Sequence, residues 1–344
     1  MNKFRVAIDG DFVKPDGSPA YPMFDLAPLH AHPGVEVAHV ALGKVASASA
    51  LAGFDALILL GNRFAPDSVP ADGRLSIVAR FGVGYDTVDV PACTGAGIAL
   101  TITPDGVRRP VAVAILTLLF ALTGKLFIKD KLTREGAAGY ARRGDHMGVG
   151  LMGRTLASVG IGNIGAELFR LAAPFGMRFI AHDPFASPDL ARELGITLVD
   201  LETVFREGDF VSVSCPLTPQ THHLVNAARL ALMKPTAYLI NTARGPIVDQ
   251  AALTKVLQEG RIAGAGLDVQ EQEPPDIDDP LLRLDNVILA PHALCWTDQC
   301  FAGIGASAVR SVLDVADGHI PRGLVNRAAL DHARWQGRSA ATGA

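Results

Sequence analysis

A loop reading Gly160-Ile161-Gly162-Asn163-Ile164-Gly165 stands between an apolar strand pattern at 156–159 and an amphipathic helix pattern at 164–173. A G-x-G-x-x-G string alone is a weak signal in a chain with 35 glycines, but strand before and helix after is the setting in which it has a physical meaning. Gly160 permits the tight turn, Gly162 lets the backbone approach a pyrophosphate, and Gly165 lets helix and strand pack closely. The helix N-terminus then presents unpaired N–H groups to the phosphates. Asp183 follows at the spacing of a carboxylate that binds the adenosine ribose hydroxyls and repels a 2′-phosphate, so the expected cofactor is NAD rather than NADP.

Short β-rich runs alternate with helical stretches on both sides of this loop, the pattern of parallel sheets with crossover helices. The first set lies at 4–8, 35–40, 56–60, 76–80 and 98–102. A helix is expected after Thr103-Pro104-Asp105, and a second set of six strands at 155–159, 178–181, 210–214, 237–241, 263–268 and 287–290. A last helix is expected at 298–316 and a disordered tail at 331–344. The fold class is α/β, with two Rossmann-like doubly wound parallel-sheet domains.

Composition agrees. A chain of 344 residues is long enough for two cores. With 49% hydrophobic and 19% charged residues and a net charge of −4, it reads as globular and has no basic excess for nucleic acid. The longest apolar stretch, 111–122, is too short to span a bilayer, so no membrane partner is expected and the stretch reads as a buried helix. The N-terminus runs into a strand pattern without a signal-peptide core, which points to the cytoplasm. The four cysteines show no C-x-x-C spacing and read as reduced thiols.

Chemistry-bearing residues follow the strand ends. Asn241-Thr242-Ala243-Arg244-Gly245 closes a strand at the carboxyl edge of the sheet, where open α/β folds bind ligands. Arginine there offers a planar fork for a carboxylate. His292, past the last strand, is a candidate general acid/base, and Glu273 a partner that orients the ring and holds its protonated form. Each alone is more often a salt bridge, a structural histidine or a solvated acid; their joint occurrence after the strand ends of a dinucleotide fold reverses that judgement. His222 and His223 hint at metal, but no Asp, Cys or third His lies at ligand spacing, so no metal is expected.

The glycine loop, Asn241 to Gly245, Gly266-Leu267-Asp268-Val269 with Glu273-Pro274, and Ala290-Pro291-His292 together resemble the D-isomer-specific 2-hydroxyacid dehydrogenase family, over nearly the whole chain. The resemblance implies an NAD-binding domain at 103–297 inserted into a discontinuous substrate domain at 1–102 and 298–330, with catalysis between them, and a homodimer held through the cofactor domains. It also implies that Arg244 binds substrate, His292 moves the proton and Glu273 supports His292. Asn163, Ile164, Asp183, Thr242, Ala243 and Asp268 match cofactor-contacting positions, Asp268 near the carboxamide. Arg80-Phe81-Gly82-Val83-Gly84-Tyr85-Asp86 resembles the loop whose amides hold the substrate carboxylate, with Val83 and Gly84 as contacts, and Arg63 as a further contact or a solvated arginine. The implied reaction is hydride transfer between NAD(H) and a small D-2-hydroxy or 2-keto acid, hydroxypyruvate or glyoxylate reductase-like. An NAD-sensing corepressor and a phosphite dehydrogenase-like enzyme are the alternatives. Departures from the family are Val113 where many relatives have Glu, and Ala293-Leu294-Cys295-Trp296 after the histidine, where Trp296 either narrows the pocket or simply packs.

Overall fold

The computed structural model describes residues 3–340. The chain divides into two compact units, Met1–Val107 with Trp296–Ala344, and Arg108–Cys295. The first division falls inside one long helix, Pro104–Gly124, a few residues later than the expected domain start at 103.

Among the described residues of the first unit, five strands form a parallel sheet: β1 Phe4–Asp9, β2 Val35–Val40, β3 Ala56–Leu59, β4 Ile77–Arg80 and β5 Ala99–Thr101, in the order β2-β1-β3-β4-β5. The central strand β3 is buried along its whole length, as a parallel strand covered on both faces requires. Helix Asp298–Ala316 lies against β3 and β4 in this unit. Thr297 caps its N-terminus, the side chain accepting from Cys300 N.

In the second unit, β6 Thr155–Val159, β7 Arg178–His182, β8 Ile196–Leu198, β9 Phe210–Val213, β10 Tyr238–Asn241, β11 Gly264–Leu267 and β12 Val287–Leu289 form a seven-stranded parallel sheet. Its order is β12-β11-β10-β9-β6-β7-β8, so the strand order reverses between β6 and β9. Such a reversal opens a crevice at the carboxyl ends of the strands. Two apolar clusters cover the sheet. One contains Phe205, Val225, Leu253 and Leu281; the other contains Leu118, Leu119 and Leu122 of the long helix with Phe169 and Phe210. That long helix is apolar enough to cross a membrane by composition, yet 67% of its most apolar window is buried in the fold.

Two expectations are corrected. The sheet has a seventh strand, β8, at the edge; it spans three residues with only Ile196 buried, too short for alternation to reveal it. The tail expected to be disordered from 331 is ordered to residue 340. Trp335 is 3% exposed and its Nε1 donates to Gly97 O at 2.8 Å, Arg334 Nη2 donates to Gly73 O at 2.8 Å, and Ala340 bridges to Ile320. One buried indole outweighs the polar composition around it. Residues 341–344 lie outside the described residues.

Candidate active site

The glycine loop sits at the strand-order reversal. Gly160 has φ +97°, a conformation L side chains rarely adopt, and a Cβ there would lie 2.8 Å from Ser214 O at the end of β9. A Cβ on Gly165 would lie 2.5 Å from Gly160 O, so this glycine sets how closely helix Asn163–Ala172 approaches the loop. Around Gly162 nothing lies within 4 Å of a built Cβ, and it precedes the helix with no side chain capping the first turn. An open position beside uncapped helix N–H groups fits a pyrophosphate. Asn163 and Ile164 begin the helix. Asp183, one residue past β7, lies against the same loop: its Oδ2 accepts from Ile161 N at 2.9 Å and its Oδ1 from Phe185 N at 2.9 Å.

Arg244 is placed by a turn that sequence reading had not credited to Asn241. The Asn241 side chain is buried at the end of β10; its Oδ1 accepts from Ala243 N at 3.0 Å and its Nδ2 donates to Arg244 O at 2.9 Å. Thr242 and Ala243 form the top of that turn, and Arg244 Nη1 donates to Ala243 O at 2.7 Å. Gly245 lets the turn press against the segment after β11, since a Cβ there would fall 1.8 Å from Gln270 O.

That segment carries Glu273. Glu273 Oε2 lies 2.8 Å from His292 Nδ1, and its Oε1 accepts from Gln270 N at 3.1 Å. Partial burial alone would push the Glu273 carboxyl up. The hydrogen bond and charge of His292, the Gln270 N–H and the charge of Arg244 outweigh burial and hold it below the ordinary carboxylate range. Nδ1 of His292 is thereby committed to Glu273, which leaves Nε2 for a proton carried to or from a ligand.

His292 has φ +55°, an uncommon and strained conformation for a residue with a side chain. The two residues that follow it are held by Asp268, just past β11 and 3% exposed, whose Oδ1 accepts from both Ala293 N and Leu294 N at 3.0 Å. Burial pushes the Asp268 carboxyl up against the opposing pull of those two N–H groups and the His292 charge. Gln270, also buried, donates from Nε2 to Ala290 O at 3.3 Å and ties the ends of β11 and β12 together. The second unit thus brings Arg244, Glu273, His292 and Asp268 into one cluster. Sequence reading missed Asn241 and Gln270 as the residues that position it. The only advance signal was Asn before a strand-end turn, where its side chain bonds its own backbone.

The remaining expected substrate residues belong to the first unit. Val83 and Gly84 are half-buried on the loop after β4, and Gly82 fixes that loop through its N–H to Thr103 Oγ1 and its carbonyl to Thr103 N, both 3.0 Å. Arg63 is exposed, and its backbone N donates to Lys44 O at 3.0 Å. Trp296 is 51% exposed and meets Tyr21 and Phe301 edge-on, at 5.6 and 5.3 Å. Among the cysteines, burial pushes the Cys93 thiol up to about 12 and the Cys215 thiol up to about 11, which favours the neutral thiol over the nucleophilic thiolate at both.

Residues 116–293 match the model of the D-isomer specific 2-hydroxyacid dehydrogenase NAD binding domain. The glyoxylate reductase of Korarchaeum cryptofilum is 42% identical over 275 residues, 79% of this chain and 83% of that one. The chain belongs to the D-isomer specific 2-hydroxyacid dehydrogenase family. This dehydrogenase is also 40% identical to the glyoxylate reductase of Thermococcus onnurineus, over 80% of its own length and 84% of the relative's. The crystal structure of a glyoxylate reductase from Paecilomyes thermophila superposes with a TM-score of 0.80 at 25% identity, over 94% of this chain and 99% of that one. The protein is an NAD-dependent oxidoreductase of 2-hydroxy and 2-keto acids, and the open glycine loop is a structural feature that suits its cofactor.

Proposed function

We propose that this enzyme reduces a small 2-keto acid, glyoxylate or hydroxypyruvate, to the D-2-hydroxy acid, with Arg244, Glu273 and His292 as its working residues. The observation that carries the reading is the 2.8 Å Glu273–His292 pair beside the Arg244 turn. The similarity to archaeal glyoxylate reductases supports the substrate class. NAD, when bound, supplies or accepts the hydride. His292 Nε2 gives a proton to the carbonyl oxygen as C2 is reduced, and takes the hydroxyl proton in the reverse direction. Glu273 holds the imidazolium that reduction starts from. Arg244 binds the carboxylate through its fork and orients the neighbouring carbonyl.

Asp183 is assigned to the adenosine ribose, and Asn163, Ile164, Thr242, Ala243 and Asp268 to further cofactor contacts. Val83, Gly84 and Arg63 are assigned to the substrate. These roles rest on the family resemblance. We also assign a homodimer, supported by exposed Leu126, Phe127, Tyr140, Met147 and Met152 on the second unit, and a cytoplasmic location. Sedimentation at the mass of one chain would remove the dimer, and recovery with the membrane fraction would remove the location.

A comparison of NADH oxidation with a 2-keto acid and with its methyl ester tests the carboxylate requirement. The acid is expected to react and the ester to react poorly, and Arg244→Lys is expected to lose activity because an ammonium lacks the planar fork. Equal rates for acid and ester, or an undiminished Arg244→Lys variant, would overturn the substrate assignment.

A further inference from the structure

His222 and His223 are neighbours in a loop, and consecutive side chains ordinarily diverge. Here His223 has φ +49°, a left-handed conformation that is uncommon for a residue with a side chain. The two imidazoles lie on the same side of the turn, their centroids 4.1 Å apart and their planes at 22°. The fold brings Glu271, 48 positions along the chain, to this pair, with Oε1 2.7 Å from His223 Nε2. One ligand atom from each of the three residues lies within 4.8 Å of the others.

We propose that His222, His223 and Glu271 form a binding site for a divalent transition-metal ion of the zinc type. Two imidazole nitrogens and one carboxylate oxygen are the ligand types zinc takes, and three protein ligands leave one position for water. Mixed nitrogen and oxygen donors favour zinc, nickel or copper over magnesium or calcium, which take oxygen.

The supports of a metal site are already present. Glu271 Oε2 accepts from Gln250 N at 3.1 Å, and Glu271 N donates to Gln250 Oε1 at 2.9 Å, so the carboxylate is held with Oε1 turned toward His223. His223 N donates to Pro246 O at 2.9 Å, and His222 N to Thr218 O at 3.0 Å. A carboxylate aimed by a backbone N–H is an outer contact of the kind that holds a metal ligand in place, and the two backbone bonds fix the turn that carries the rings.

Bonds of about 2.0–2.2 Å to a tetrahedral ion separate the donors by about 3.4 Å, so coordination replaces the 2.7 Å His223–Glu271 contact with a separation wider by roughly 0.7 Å and brings His222 to the same distance from both. It also turns His222 out of the ring stack, because a ring nitrogen binds metal in the plane of its own ring. His222 is exposed and free of the core, so this costs a side-chain rotation rather than a change of fold. The site uses none of Arg244, Glu273 and His292, and it stands whether or not the substrate assignment does.

The test uses the whole protein freed of metal with a chelator, titrated with Co2+ for its tetrahedral visible absorption and with Zn2+ against a chromophoric chelator. One equivalent of each is expected to bind the unaltered protein. His222→Ala and Glu271→Gln are each expected to weaken Zn2+ binding by at least about tenfold. Both substitutions are at exposed side chains, and unchanged thermal unfolding of the metal-free variants checks the fold. With ten histidines in the chain, stoichiometric binding alone does not decide the location. Failure to bind one equivalent, or wild-type affinity in either variant, would overturn the proposal.

Discussion

The three glycines of the loop have separate jobs in the structure, and Gly165→Ala and Gly162→Ala are expected to fail in different ways. At Gly165 an added methyl would lie 2.5 Å from Gly160 O and 3.2 Å from its carbonyl carbon, about 0.9 Å inside ordinary contact. The obstacle is backbone, so helix and loop separate; overpacking of this kind costs about 1–3 kcal/mol, offset by up to about 1 kcal/mol from replacing glycine within a helix. A net loss of about 1–2 kcal/mol lowers the melting temperature by roughly 2–8 °C in a domain of 150–250 residues. At Gly162 the backbone has φ −61° and ψ −163°, which alanine tolerates, and the methyl meets nothing within 4 Å. Its stability cost stays below about 1 kcal/mol, yet the methyl occupies the space through which a pyrophosphate approaches the backbone. NADH affinity is therefore expected to fall by at least about tenfold, which is about 1.4 kcal/mol. Calorimetry of the cofactor-free proteins and an NADH fluorescence titration read the two quantities independently. Wild-type NADH affinity in Gly162→Ala, with the fold intact, would refute the assignment of this loop to the cofactor phosphates.

Glu273 is held below the ordinary carboxylate range, so its contribution to stability and to the His292 pair is fully present above the unfolded value. That contribution is lost only as pH falls through the lower folded value. Glu273→Gln removes that charge; turnover in the reducing direction is expected to fall and the alkaline limb of its pH profile to move to lower pH, because a neutral amide does not hold the imidazolium. An unmoved profile would separate Glu273 from the proton step. Asp183→Ala is expected to narrow the preference for NADH over NADPH, since the carboxylate beside Ile161 N repels a 2′-phosphate; tight NADPH binding by the unaltered protein would remove that role.

The sequence by itself determined the α/β class, the place of the glycine loop and most strands to within a residue or two, and it pointed to Arg244, Glu273 and His292 as the trio proposed for catalysis. These are local signals: apolar runs long enough to read, glycines between strand and helix, and polar residues just past strand ends. Strand β8 escaped because three residues at a sheet edge carry no alternation. The order of residues 331–340 escaped because it depends on one indole reaching Gly97 across the fold. Only tertiary structure decided how Asp268 clamps the two backbone N–H groups after the strained His292 and how Asn241, Gly245 and Gln270 set Arg244 beside Glu273. It also decided that Glu271 meets His222 and His223, a pairing invisible in sequence because 48 residues separate Glu271 from His223 and only the packing of loops at the strand ends closes that gap. Burial and a neighbour's charge are properties of the folded surroundings rather than of the residue, which is why a chain can point to candidates for an acid, a base and a cation while concealing what holds them in register.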